Sequence, residues 1–159
     1  MSIEIGKDAR PTARSSAPAA AQMLGYAGLV PFAAMSIIIA SSGSAAAGVI
    51  HAEIGYGACV LSFLGGARWG FAIARGGTQG LFRPLGIATL PTLFATLVLF
   101  MSPATALAAL IAGFVLVLVA DRQDLRLGLI APWYWSMRLI LTSIALVALA
   151  VSLGVVLLG

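Results

Sequence analysis

The sequence predicts an all-α polytopic membrane protein, a bundle of five transmembrane helices. Three observations point there. Of 159 residues, 61% are hydrophobic and 9% charged, whereas a soluble domain carries about 25% charged residues. Charge that sparse cannot cover a water-facing surface, so lipid is the solvent for most of the chain. The apolar residues also fall into five runs, each close to the roughly 20 residues of a crossing helix. Finally, the basic residues collect in alternate gaps between those runs. The spans fill the chain as one membrane domain, residues 22–159, and leave no room for a water-soluble domain beside it.

The elements follow in order. Residues 1–21 are polar and small, with Pro11 and Pro18 opposing a helix, and read as a disordered inside tail. Neither a secretory signal nor a mitochondrial presequence fits: the small residues precede the first apolar core, and Glu4 and Asp8 interrupt the basic ones. The first span is 22–40, with Pro31 removing one backbone hydrogen bond near its middle and predicting a kink. Residues 41–55 contain no lysine or arginine; the helix formers of AAAGVIHAEI make the stretch partly helical and able to lead straight into the second span, with Gly55 and Gly57 as a flexible joint. The second span is 56–74. Ala58, Ser62, Gly66, Gly70 and Ala74 recur there every fourth residue, a small-residue seam along which another helix can approach closely. The third and fourth spans, 85–101 (with Pro91) and 104–120, form an antiparallel hairpin about the Ser102-Pro103 turn. A mixed-charge loop then leads to Pro132-Trp133-Tyr134-Trp135, an interfacial aromatic belt. The last span is 139–158.

Lys7, Arg10, Arg14, Arg75, Arg83, Arg122, Arg126 and Arg138 all fall on one side of this arrangement. By the positive-inside tendency, the amino terminus is inside and the carboxyl terminus outside. The net charge of +4 thus belongs to membrane orientation, and nucleic-acid binding is excluded as a partner class. The single Cys59 rules out an internal disulfide.

Arg68 is the exception to the loop rule. It lies seven residues before Arg75, about 10 Å deeper along the helix. A guanidinium in hydrocarbon costs about 2.5 kcal/mol or more unless it finds a partner, a polar cavity or the headgroups. Asp121, ending the fourth span on the same side, is the nearest carboxylate in register. A structural Arg68–Asp121 ion pair or simple snorkelling would meet the cost. A sharper possibility is a polar site of Arg68, Trp69, Asp121, Tyr134 and Arg138 that receives an anion, a quinone carbonyl or a lipid phosphate. Catalytic signatures are lacking: one histidine and one cysteine cannot hold a metal or two haem ligands, and no nucleophile or phosphate-loop motif occurs. No enzyme, metal or cofactor is expected.

Tyr56-Gly57-Ala58, continuing through Ser62-Phe63-Leu64-Gly65-Gly66-Ala67-Arg68-Trp69-Gly70, resembles the transmembrane-protein-69-like family of small inner-membrane proteins. Pro132-Trp133-Tyr134, Arg138 and Thr142 look like a second block of the same pattern. Many members carry histidine where Arg68 stands, which speaks against a strict metal role there. The resemblance implies a bacterial or mitochondrial inner membrane and implies no activity. Three functions fit: a non-catalytic accessory or assembly subunit packed against a larger membrane complex; a small oligomeric transporter with Arg68, Asp121 and Glu53 along its path; or a lipid- or quinone-binding protein.

Overall fold

The computed structural model describes residues 17–74 and 80–158. The chain is an all-α membrane bundle, with no strand among the described residues. Its elements are α1 (Ala19–Ala27), α2 (Val30–Ser42), a 3₁₀ turn (Gly43–Ala46), α3 (Ala47–Ala74), α4 (Phe82–Val98), α5 (Pro103–Arg126) and α6 (Pro132–Leu158). Four stretches are long and apolar enough to cross a bilayer: Ala19–Ser42, Ala47–Ala74, Pro103–Arg126 and Pro132–Leu158. The fifth, α4, has 17 residues and reaches about 25 Å.

The first crossing is broken, at Gly28–Leu29. Pro31 has no N–H to give the Ala27 carbonyl, and it sits instead in the first turn of α2, where an N–H would be spare anyway. Tyr56 repairs the break from α3: its hydroxyl donates to the Gly28 carbonyl at 2.7 Å. Its ring meets Phe32 edge-on, with centroids 5.0 Å apart.

α3 is the spine. Its 28 residues reach about 42 Å, well beyond the ~30 Å hydrocarbon layer. It begins at Ala47, nine residues ahead of the expected span, because helix formers run without a proline from Ala47 to Ala74. Gly55 and Gly57 pass through the helix unbroken and form no joint. Gly57 is small for a packing reason: a Cβ there would stand 2.8 Å from Leu110 Cδ1 of α5.

The rest of the bundle assembles around α3, which packs against α2, α4 and α5, while α6 closes the ring against α5 and α2. Phe32, Ile39, Leu61, Leu107, Leu110, Phe114 and Leu149 make the core. Gly65 lets α4 in: a Cβ there would meet the Ala88 carbonyl oxygen at 2.8 Å. At the far end of α5, Gly128 adopts φ +67°, and the Leu129 N–H reaches back to the Asp124 carbonyl at 2.8 Å. That left-handed residue stops the helix. The segment expected to lie at the interface, from Pro132 to Arg138, is simply the first two turns of α6. Ile37, Phe63, Leu93, Leu116, Val147 and Leu158 face outward, fully consistent with an exterior that meets lipid.

Of the expected inside tail, residues 1–16 lie outside the described residues, while Ala19–Ala21 already belong to α1. Arg75 also lies outside them.

Candidate functional site: a buried charge cluster beside an apolar cleft

At one end of the bundle, hereafter the basic end, α3, α5 and α6 bring four charged side chains together. α5 continues as a helix past Ala120, so Asp121 and Asp124 lie one turn apart on one face. Arg68 of α3 fits its fork across both: Nη1 lies 2.8 Å from Asp121 Oδ1 and Nη2 3.0 Å from Asp124 Oδ2. Arg138 of α6 takes the other oxygen of Asp121, Nε to Oδ2 at 3.0 Å. Asp121 is 3% exposed and Arg138 6%. The cluster therefore holds two guanidinium and two carboxylate groups, and its formal charge is zero. Tyr134 stands beside it, near enough to feel all four charges, with its ring edge-on to Phe71 at 5.3 Å.

The extended α3 also moves Arg68 outward. The middle of the helix falls between Val60 and Leu61, so Arg68 lies about 11 Å from it along the axis. Trp69 leaves the cluster altogether. Its Nε1 donates towards the Leu85 carbonyl and the Thr89 hydroxyl of α4, both at 3.0 Å.

Against the cluster lies a cleft of about 570 Å³ between the α1–α2 arm, α3, α5 and α6. Leu29, Phe32, Val60, Phe114, Met137 and Leu141 give it apolar walls, and Tyr134, Arg138 and Thr142 give it one polar end. Arg138 and Thr142 line that end, and beneath its surface Arg138 Nη2 and the Thr142 hydroxyl are buried without a hydrogen-bond partner. Each such group costs about 1–3 kcal/mol. The cleft can therefore take a long apolar body whose head brings an acceptor.

Of the sequence-expected site, Arg68, Asp121, Tyr134 and Arg138 converge and Trp69 does not. Asp124 and the free Thr142 hydroxyl belong with them. Asp124 is found by its spacing of three from Asp121 once α5 is allowed to run on; Thr142 is found by its spacing of four from Arg138. The small-residue seam is divided: Ala58 is buried and Ser62 partly so, whereas Gly66, Gly70 and Ala74 are exposed, with nothing within 4 Å of a Cβ at Gly66 or Gly70. Internal close approach runs instead through Gly57, Gly65 and Gly113. Among the described residues no cluster of side chains is arranged to hold a metal.

The profile of a family described as "Protein of unknown function (DUF3429)" matches residues 17–154. The chain belongs to that family. It is 38% identical over 143 residues to Transmembrane protein 69 of Xenopus tropicalis, an alignment that takes in 89% of this chain and 56% of the relative. The chain thus spans little more than half the length of that curated relative. No solved structure matches it. The chain is accordingly a multi-pass membrane protein of the transmembrane-protein-69 kind.

Proposed function

We propose that this protein binds a membrane amphiphile, a lipid or a quinone-type molecule, in the cleft between the α1–α2 arm and α6. One observation carries the reading: two buried, unpartnered donors, Arg138 Nη2 and the Thr142 hydroxyl, at the polar end of an otherwise apolar cleft. The charges of the cluster already cancel, so the ligand is asked for an acceptor and not for a countercharge. A carbonyl or ester oxygen meets that need without leaving a buried excess of negative charge. The chemistry proposed is binding.

A second reading, an accessory subunit seated on a larger inner-membrane complex, draws support from the outward Gly66, Gly70 and Ala74. The basic end faces the inside, on the bias of its arginines. One purification in mild detergent tests both. Native mass spectrometry should find a retained small molecule, several-fold depleted in Thr142→Val, which keeps the shape and removes the hydroxyl. Bare protein in every preparation would refute the amphiphile, and stoichiometric co-migration with larger subunits would support the accessory role.

A further inference from the structure

Glu53 and Ser152, at the end of the bundle away from the arginines, are left unexplained by the cleft. Glu53 is wholly buried, and neither carboxylate oxygen has a hydrogen-bond partner. Ser152 of α6 is itself wholly buried and lies close enough to that carboxyl to act on it, although its hydroxyl makes no well-formed hydrogen bond. The surrounding elements bring no countercharge. α2, the 3₁₀ turn, residues 103–120 of α5 and residues 139–158 of α6 contain no lysine, arginine, histidine, aspartate or glutamate. On α3 itself, His51 is exposed with its ring nitrogen against the Ala47 carbonyl, and the Tyr56 hydroxyl is committed to Gly28. Arg68 is fifteen residues away on the same helix, about 22 Å, and already engaged by two aspartates.

A carboxylate sealed among apolar side chains with no positive partner is among the costliest arrangements a protein can hold. The position is stable only when positive charge joins it. We propose that Glu53 and Ser152 form an intramembrane site for a small monovalent cation, a proton or a sodium ion. The carboxyl supplies the charge and the serine hydroxyl a second oxygen. The site shares no residue with the amphiphile cleft and stands or falls independently of it.

Two measurements on the purified full-length protein test this. Dicyclohexylcarbodiimide reacts with carboxyl groups in apolar surroundings when they carry a proton, and mass mapping of the peptides locates the adduct. The expected adduct is on Glu53, absent in Glu53→Gln, with Asp121 and Asp124 spared by their arginines. Labelling suppressed several-fold by sodium chloride relative to choline chloride identifies sodium as the occupant; labelling indifferent to sodium identifies the proton. The second measurement is the thermal unfolding midpoint in detergent, which should move with pH or sodium in the wild type and stay put in Glu53→Gln. No Glu53 adduct, together with wild-type and Glu53→Gln midpoints that respond in parallel, would overturn the proposal.

Discussion

Asp121 is the residue on which the basic end turns. Both of its oxygens are engaged by guanidinium groups from different helices, Arg68 of α3 and Arg138 of α6, and it is almost wholly buried. Removing one partner of a buried ionic group costs about 3–5 kcal/mol, because it strands the others without compensation. Asp121→Asn should therefore lower the thermal midpoint in detergent sharply. Asp124 has a single partner and an 18% exposed side chain, so Asp124→Asn should cost no more than about 1 kcal/mol. Equal losses in the two variants would mean that the network is not centred on Asp121. Arg68 as a misfit was legible in the sequence, since a charge inside an apolar run needs a partner wherever the fold places it. The direction of Trp69 was not. Its indole N–H is drawn to α4 by the Thr89 hydroxyl and the Leu85 carbonyl, a contact that depends on how α4 packs.

At the scale of the helices, glycine placement decides which pairs approach closely. Gly65→Ala would push a methyl to 2.8 Å from the backbone carbonyl of Ala88, which cannot swing aside as a side-chain tip would. Overpacking of this kind costs about 1–3 kcal/mol. Gly66→Ala, one residue on, meets open space and should leave the isolated protein unchanged in the same unfolding assay. A matched loss at both positions would contradict the packing described. The repeat of small residues was visible in the chain, but a spacing of four cannot say which stripe faces inward. Gly65 and Gly66 differ by 100° around the helix, and the choice was made by α4, whose Ala88 carbonyl and Pro91 lie against Gly65. Likewise helix ahead of residue 56 was legible in the helix formers of AAAGVIHAEI, but the glycines at 55 and 57 read as a joint, whereas the helix runs through both and Gly57 fits against Leu110.

For the molecule as a whole, the number and order of the crossings were legible, because lipid permits few ways to satisfy a backbone and helices are one of them. The orientation expected from loop charge is open to direct test: with the chain expressed in a bacterial inner membrane, a phosphatase fused after α6 should be active, and a cytoplasmic fluorescent reporter at the same point dark. The reverse pattern would invert the bundle. The charge cluster and the buried carboxyl fall about 11 Å to either side of the middle of α3, Arg68 towards one end and Glu53 towards the other, so a single helix ties together two chemically unlike polar sites. The break at Gly28–Leu29 bears on how the cleft is reached. α1 contains no buried residue and is held to the bundle chiefly by Gly25 against Leu141 and by the phenol at Tyr56 gripping the hinge. Of the walls of the cleft, α1 is the one whose outward displacement would expose no buried residue of its own, and such a displacement would open the cleft sideways. Molecules entering the cleft would then come sideways out of the bilayer leaflet, without ever crossing water.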